Sequence, residues 1–229
     1  MKNNSHIVTI FGGTGDLSFR KLLPAFYNLF ANDQIPDSFH IVVIGRQDLD
    51  TDSYRERLKP WLKEHSRCHI DDEKMNEYLD YVSYFKMTFT EDEGYPKLKK
   101  YYEELDKDAK LLYYFAVSPS FFETIALKLE KHGLSENAKV IIEKPFGNDL
   151  ESAIEINETL SNILSDENIY RIDHYIAKET VQNIFTIPFS NALFKEVWQS
   201  NSIKSIQISA NETVGVESRG NFYETTGAL

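Results

Sequence analysis

The chain has 229 residues, of which 41% are hydrophobic and 27% are charged, and its formal net charge is −11. This length suits one large domain, or one domain with part of another, in an ordinary soluble globular protein, and the acidic charge argues against a general role at nucleic acids or membrane surfaces. No apolar run approaches the ~20 residues that span a bilayer, while the single cysteine, Cys68, excludes an internal disulfide and fits a reducing cytoplasm.

The N-terminal stretch predicts a strand, a glycine turn and a helix. An apolar run at residues 7–11 stops at Gly12, Gly13 and Gly15, and apolar residues then recur at helical spacing. In open α/β sheets this order brings backbone N–H groups up to a phosphate, because glycines permit a tight turn and a helix N-terminus favours an anion. Residues 13–18 follow the pattern G-x-G-x-x-G/A, except that Ser18 occupies the last place. The alternative is an ordinary tight turn between a strand and a helix.

Strands and helices then alternate along the chain. We predict strands at 39–44, 81–87, 110–117 and 139–142, and helices at 52–65 (interrupted by Pro60), 95–105, 121–131 and 150–164. This alternation predicts a doubly wound parallel sheet, in which ligands bind beyond the carboxyl ends of the strands. The residues of interest each follow a strand: the glycine turn, Arg46, Ser118 with Pro119, and Lys144.

The pattern changes from Ile169 onward. Helices are predicted at 178–186 and 193–198, and an alternating strand, half-buried as in an antiparallel sheet, is predicted at 203–209. We therefore expect a first domain at residues 1–172 and the beginning of a second, β+α domain at residues 173–229.

Arg46 bears on the choice of cofactor. NAD sites usually place an acid at the end of the second strand to bind the ribose 2′-hydroxyl, whereas NADP sites favour a cation for the 2′-phosphate. Here Arg46 is followed by Gln47, and the first acid is Asp48. The always-charged fork of arginine suits a phosphate, so the sequence favours NADP, with a solvated surface arginine as the alternative.

Two histidine patterns bear on other chemistry. If a helix begins near Tyr175, His174 and Lys178 share one face and can converge on an anion, although a core histidine and a solvated lysine fit the pattern too. His65, Cys68 and His69 superficially suggest a metal site, but no fourth ligand has suitable spacing. We expect no metal site.

Four segments, in this order, resemble the glucose-6-phosphate dehydrogenase family. They are FGGTGDLSFRKLLPA, IIEKPFG, RIDHYIAKETVQNI and ETVGVESRGNFYETTGAL, and the third is similar to the family signature RIDHYLGKE. The resemblance runs from Ile7 to the last residue. It implies a Rossmann-like doubly wound parallel sheet followed by the start of a β+α, mainly antiparallel, substrate domain.

The resemblance also implies a role for each matching residue. The coenzyme site would comprise a pyrophosphate cradle (Gly12, Gly13, Thr14, Gly15, Asp16 and Leu17), Arg46 at the 2′-phosphate, Ser118 and Pro119 beside the nicotinamide ribose, and Lys144. The substrate site would comprise Lys144, His174, Tyr175, Lys178 and Glu212, with Asp173, Lys21 and Pro145 in support. The peptide bond before Pro145 is often cis in this family.

The reaction implied is oxidation of glucose 6-phosphate by NADP to 6-phosphogluconolactone, in the cytoplasm, by a parent protein that is a homo-oligomer. The family's base is a histidine in a segment that follows the match at residues 227–229. No catalytic residue is therefore expected among these 229 residues, and alone they are expected to be inactive. The alternative is a non-catalytic NADP-binding fragment or module.

Two departures from the family pattern are Phe19, where a polar residue is common, and Ile176-Ala177 in place of Leu-Gly.

Overall fold

The computed structural model describes residues 5–36, 38–147, 149–173 and 176–209. The chain divides into two compact units, Met1–Arg171 and Ile172–Leu229. Among the described residues, no helix is long and apolar enough to cross a membrane.

The first unit is organised around a six-stranded sheet. Its strands are β1 (His6–Phe11), β2 (Phe39–Gly45), β3 (Val82–Lys86), β4 (Lys110–Phe115), β5 (Lys139–Glu143) and β6 (Ile169–Ile172). They lie in the order β3-β2-β1-β4-β5-β6. The neighbouring pairs β3-β2, β2-β1, β1-β4 and β4-β5 are parallel. This order is that of the Rossmann fold, so the predicted doubly wound parallel sheet is confirmed.

Six helices connect these strands. They are α1 (Leu23–Ala31), α2 (Thr51–His65), α3 (Asp72–Asp80), α4 (Gly94–Asp106), α5 (Phe122–Lys131) and α6 (Leu150–Ile163), and a wide turn of helix at Ser18–Leu22 precedes α1. Aspartate side chains cap three of them, because Asp50, Asp71 and Asp149 each accept a backbone N–H bond from the first turn of α2, α3 and α6.

Helices cover both faces of the sheet. On one face, Phe11 of β1 packs with Phe115 of β4 at a ring-centroid distance of 5.5 Å, in a core shared with α4, α5 and α6. Because side chains alternate along a strand, Val8 and Ile10 lie on the opposite face from Phe11. There α1 and α3 are joined where the Tyr78 hydroxyl donates to the carbonyl of Leu23 at 2.9 Å.

The observed elements differ from the predicted ones in three respects. Helix α2 continues through Pro60, which is exposed, so that water can bond the carbonyl left without an N–H partner. The structure also contains α3 and β6, which the sequence patterns did not indicate. Residues 203–209 form no strand, since no described segment pairs with them and the side chains of Ile206 and Ile208 are 74% and 88% exposed.

The described part of the second unit contains α7 (Glu179–Ser190) and α8 (Ala192–Lys195). Helix α7 runs past the predicted end at residue 186 and includes Pro188, while α8 is shorter than the predicted helix at 193–198. Large apolar side chains are exposed on both helices, among them Phe185, Phe189 and Leu193.

Candidate functional site

The carboxyl ends of four parallel strands meet at one edge of the sheet. Phe11 at the end of β1 pairs with Ile44 of β2 and Phe115 of β4, and Phe115 pairs in turn with Ile142 of β5. The residues that follow these strands therefore emerge side by side. They are the glycine turn, Arg46, Ser118 with Pro119, and Lys144, all of which the sequence places after strands.

Two glycines seat the turn on the neighbouring strands. Gly12 has φ +86°, and a Cβ there would lie 2.3 Å from the carbonyl oxygen of Ala116. At Gly13 a Cβ would lie 1.8 Å from Cγ1 of Val43, while its N–H donates to the carbonyl of Ile44 at 2.9 Å. These positions accept only glycine, because the space of a Cβ is filled by the Ala116 backbone at Gly12 and by the Val43 side chain at Gly13.

Hydrogen bonds within the turn hold its remaining residues in place. The N–H of Gly15 and the hydroxyl of Ser18 both donate to the carbonyl of Gly12, at 3.0 and 3.1 Å, so the turn closes on itself. Ser18, in the place of the third glycine, is fully buried. The amide of Thr14 bonds to no other described residue, and helical backbone begins at Asp16. A free amide beside a helix N-terminus fits the pyrophosphate of a dinucleotide.

Two tyrosines, one from α2 and one from β3, hold this turn and the segment after β2 by hydrogen bonds. The hydroxyl of Tyr54 in α2 donates to the carbonyl of Gly13 at 2.6 Å, and its ring stacks on Tyr84 of β3 at a centroid distance of 5.1 Å. The Tyr84 hydroxyl donates to the carbonyl of Gln47 at 2.9 Å. Burial raises the pKa of Tyr54 far above its usual value, so its hydroxyl stays a donor. The sequence does not indicate a role for either tyrosine, since their aromatic character predicts only a core position.

Arg46 lies beside the turn with its charge unneutralised. It is exposed and makes no hydrogen bond or ion pair with the residues that the structure describes. Gly45 before it lies close to Thr14, since a Cβ on Gly45 would be 2.8 Å from the Thr14 Cγ2. The nearby acid Asp48 is already paired, because Lys86 donates to its carboxylate at 2.7 Å and thereby lowers the pKa of Asp48.

Ser118 and Lys144 complete the edge. Ser118 precedes the short helical turn Pro119–Phe121, and its carbonyl accepts the N–H of Phe121 at 2.9 Å. Lys144 is exposed, and the Lys144–Pro145 peptide bond is cis. The carboxylate of the preceding Glu143 accepts the hydroxyl of Tyr114, whose pKa is raised by burial and then by that carboxylate. This pair was not indicated by the sequence.

The residues expected to bind substrate are less fully described. Lys21 is exposed in the Ser18–Leu22 turn and lines a cavity of about 380 Å³ with Arg20, His65 and Arg67. Lys178 has extended backbone and α7 begins at Glu179, one residue after the predicted start, so the condition under which His174 and Lys178 would share a helix face is not met. Asp173 lies, like Lys178, in the second unit. The predictions for His174, Tyr175 and Glu212 fall outside the described residues.

Fold and edge together define the class of this protein. A parallel sheet in the 3-2-1-4-5-6 order, with a glycine turn at a helix N-terminus, is a Rossmann domain, the architecture that binds dinucleotides. The family model "Glucose-6-phosphate dehydrogenase, NAD binding domain" matches residues 9–183, and "Glucose-6-phosphate dehydrogenase, C-terminal domain" matches residues 185–229. The chain belongs to the glucose-6-phosphate dehydrogenase family.

Similar proteins carry the same family name. The chain is 39% identical over 222 residues to a glucose-6-phosphate 1-dehydrogenase of Rhizobium meliloti, covering 96% of this chain and 45% of that protein. It is 36% identical over 239 residues to one from Bacillus subtilis, covering 100% and 48%. The chain thus spans about half the length of these relatives.

Solved structures agree with this assignment. The crystal structure of glucose-6-phosphate 1-dehydrogenase from Mycobacterium avium matches with a TM-score of 0.83 and 32% identity, over 98% of this chain and 48% of that one. A glucose-6-phosphate dehydrogenase in complex with its substrate glucose-6-phosphate also matches with a TM-score of 0.83, at 36% identity and over the same shares. The two family models divide the chain near residue 184 and the compact units divide it at 171, so the boundary at residue 172 stays a prediction.

Proposed function

We propose that this chain is the coenzyme-binding half, with the beginning of the substrate domain, of an NADP-dependent glucose-6-phosphate 1-dehydrogenase. The observation that carries the proposal is the exposed Arg46, which has no partner among the described residues and lies beside the glycine turn, at the edge where a dinucleotide lies in this fold. Family membership supports the reaction, and Arg46 supports NADP over NAD.

Each coenzyme-site residue then has a distinct task. The Gly12–Leu17 backbone holds the pyrophosphate, Arg46 holds the 2′-phosphate, and Ser118 with Pro119 positions the nicotinamide ribose. Lys144 lies at the end of β5, next to that ribose, and with Pro145 it joins the coenzyme site to the sugar site. The coenzyme, when bound, accepts a hydride.

The sugar site is proposed from the family resemblance. His174, Tyr175 and Lys178 bind the phosphate of glucose 6-phosphate, Glu212 binds its hydroxyls, and Asp173 and Lys21 support them. The C1 carbon gives up a hydride while a base takes the C1 hydroxyl proton, which yields 6-phospho-glucono-1,5-lactone. That base is a histidine outside these 229 residues in the family pattern. The full-length parent is proposed to be a cytoplasmic homo-oligomer.

A second candidate function is a module that binds NADP without turnover. It is favoured by one observation: the residues of the coenzyme edge all lie within the first compact unit. Such a module would bind the coenzyme normally and would not respond to the sugar.

Calorimetry followed by an absorbance assay separates these possibilities. Residues 1–229 are titrated with NADP, then with glucose 6-phosphate, while formation of NADPH is followed. We expect binding of NADP and no NADPH, because the proposed base is not among these residues. A heat of binding on addition of the sugar supports the enzyme half, whereas its absence supports the module. Failure to bind NADP would contradict the proposed coenzyme site. A burst of NADPH would contradict the expectation that these residues alone are inactive.

A further inference from the structure

One arginine of α2 differs from the other cations of that helix. Three of them pair with carboxylates: Arg55 with Asp52 and Asp80 at 3.7 and 3.6 Å, Lys59 with Glu56 at 2.6 Å, and Lys63 with Asp72 at 2.8 Å. Arg57 pairs with no carboxylate in the part of the chain that the structure describes. Its charge is therefore available to an anion from outside.

Arg57 is nevertheless held in a defined place. Its Nη1 donates to the side-chain oxygen Oε1 of Gln47 at 2.7 Å, and its Cζ lies 5.3 Å from the centroid of the Phe19 ring. A guanidinium over an aromatic ring is attracted by the electrons of the ring face. Both contacts fix the exposed guanidinium against the turn that follows β2, where Gln47 is the neighbour of Arg46.

Phe19 gives this arrangement a rigid base. Its ring is 2% exposed and packs between Tyr54 and Trp61 at centroid distances of 5.3 and 5.7 Å. Tyr54 in turn bonds the glycine turn. The apolar residue that departs from the family pattern thus forms the surface on which Arg57 rests.

The bond to Gln47 also determines what that side chain can offer. Because Oε1 accepts from Arg57, the amide Nε2 remains as a donor, and it carries two N–H groups. Arg46, the Gln47 amide and the remaining N–H groups of Arg57 then lie around one turn. A phosphate monoester carries about −1.5 to −2 charge at neutral pH, so a second cation has a charge to neutralise there.

We propose that Arg57 is a second cation for the coenzyme 2′-phosphate and contributes to discrimination of NADP from NAD. The inference rests on the proposed function. Arg57 has no carboxylate partner among the described residues, and Asp48, which follows Gln47, is paired with Lys86 at 2.7 Å. A purely structural Arg57 would affect folding, or the binding of both coenzymes equally.

The test compares Arg57→Met with Lys59→Met. Both variants remove one positive charge from α2, but Lys59 is half-buried and paired with Glu56. Dissociation constants for NADP and NAD are measured by calorimetry, with thermal unfolding as a check on folding. We expect Arg57→Met to weaken NADP roughly tenfold, as loss of a charge-assisted hydrogen bond does, and to change NAD less than about twofold. Lys59→Met is expected to change neither by more than about twofold.

Further variants keep the two proposals separable. Arg57→Lys retains the charge without the fork and is expected to recover part of the NADP affinity. If Arg46→Ala loses the NADP preference and Arg57→Met keeps it, only the role of Arg57 is wrong. If Arg57→Met weakens NAD as much as NADP, the residue is structural and the inference is also wrong. If the unaltered chain shows no preference for NADP, both proposals fail.

Discussion

Arg46 and Asp48 lie two residues apart, yet only one of the two charges is paired within the described residues. The carboxylate of Asp48 is neutralised by Lys86, whereas Arg46 has no partner among the described residues. An acid near the end of β2 would ordinarily favour a ribose 2′-hydroxyl. Here it is paired, so the local charge beside the glycine turn is positive even though the chain carries −11.

Replacement of Arg46 by alanine tests this at the residue scale. We expect Arg46→Ala to weaken NADP about 10- to 100-fold, which corresponds to ~1.5–3 kcal/mol for hydrogen bonds to a charged group. The affinity for NAD is expected to change little, because NAD lacks the 2′-phosphate. Isothermal titration gives both constants, with Lys100→Ala on α4 as a control that removes a distant exposed charge. Equal weakening of NADP and NAD would show that Arg46 does not read the 2′-phosphate.

The sequence indicated some of these residues and not others for a physical reason. Arg46 and the glycines are found because their position after a strand is itself the signal. Tyr54, Tyr84 and Arg57 act through contacts with Gly13 and Gln47, which depend on how α2 and β3 pack against the turn. Nothing in their local sequence distinguishes them from core or surface residues.

At the scale of elements, β1 and α4 are joined by a buried polar pair. The Thr9 Oγ1 lies 2.5 Å from the Tyr102 hydroxyl, and these residues are 0% and 4% exposed. Burial raises the pKa of Tyr102 above its usual value, so the neutral hydroxyl persists. Since β1 leads directly into the glycine turn, this bond fixes the strand that positions the site.

Removing both partners of that pair should cost less than the sum of the costs of removing each one alone. We expect Tyr102→Phe to lower the free energy of unfolding by about 1–3 kcal/mol, because the Thr9 hydroxyl is left buried without a partner. The double variant Thr9→Val with Tyr102→Phe is expected to lose less than the sum of the single variants. Urea unfolding measures each, with Tyr101→Phe as a neighbouring control. Additive losses would mean that the two hydroxyls are not coupled.

One histidine takes part in a cluster that the sequence does not indicate. The ring of His132 stacks on Tyr95 at 5.6 Å and its Nε2 lies 3.2 Å from the Asp92 carboxylate. Lys131 and Lys128 also bond that carboxylate, and with His132 they hold the pKa of Asp92 well below its usual range. The cluster ties the end of α5 to the segment before α4.

The sequence predicts the buried strands more readily than short or exposed segments. Strands β1 to β5 are buried and appear as apolar runs, whereas β6 has four residues and includes the exposed Tyr170. The alternation at residues 203–209 indicates only that a strand is possible. A strand also needs a partner to bond its backbone, and none lies beside it in the described part of the chain.

At the scale of the whole molecule, the two units differ in how they are stabilised. The first unit contains an extended apolar core on the sheet and α4 to α6. In the described part of the second unit, Pro188 is the one buried residue, and Ile184, Phe185 and Phe189 are 50%, 61% and 86% exposed. The proposed coenzyme site therefore lies in the unit whose structure is supported by its own core.

Hydrogen exchange with and without NADP tests most directly where the coenzyme lies. Mass spectrometry of residues 1–229 is expected to show slower exchange on NADP binding at residues 12–17 and 46–47, at the carboxyl edge of the sheet. Amides exchange less readily when they bond a phosphate or when the bound coenzyme shields them from water, so the glycine turn should be protected most. NADP binding that leaves these segments unprotected, or protects the opposite edge of the sheet instead, would contradict the account.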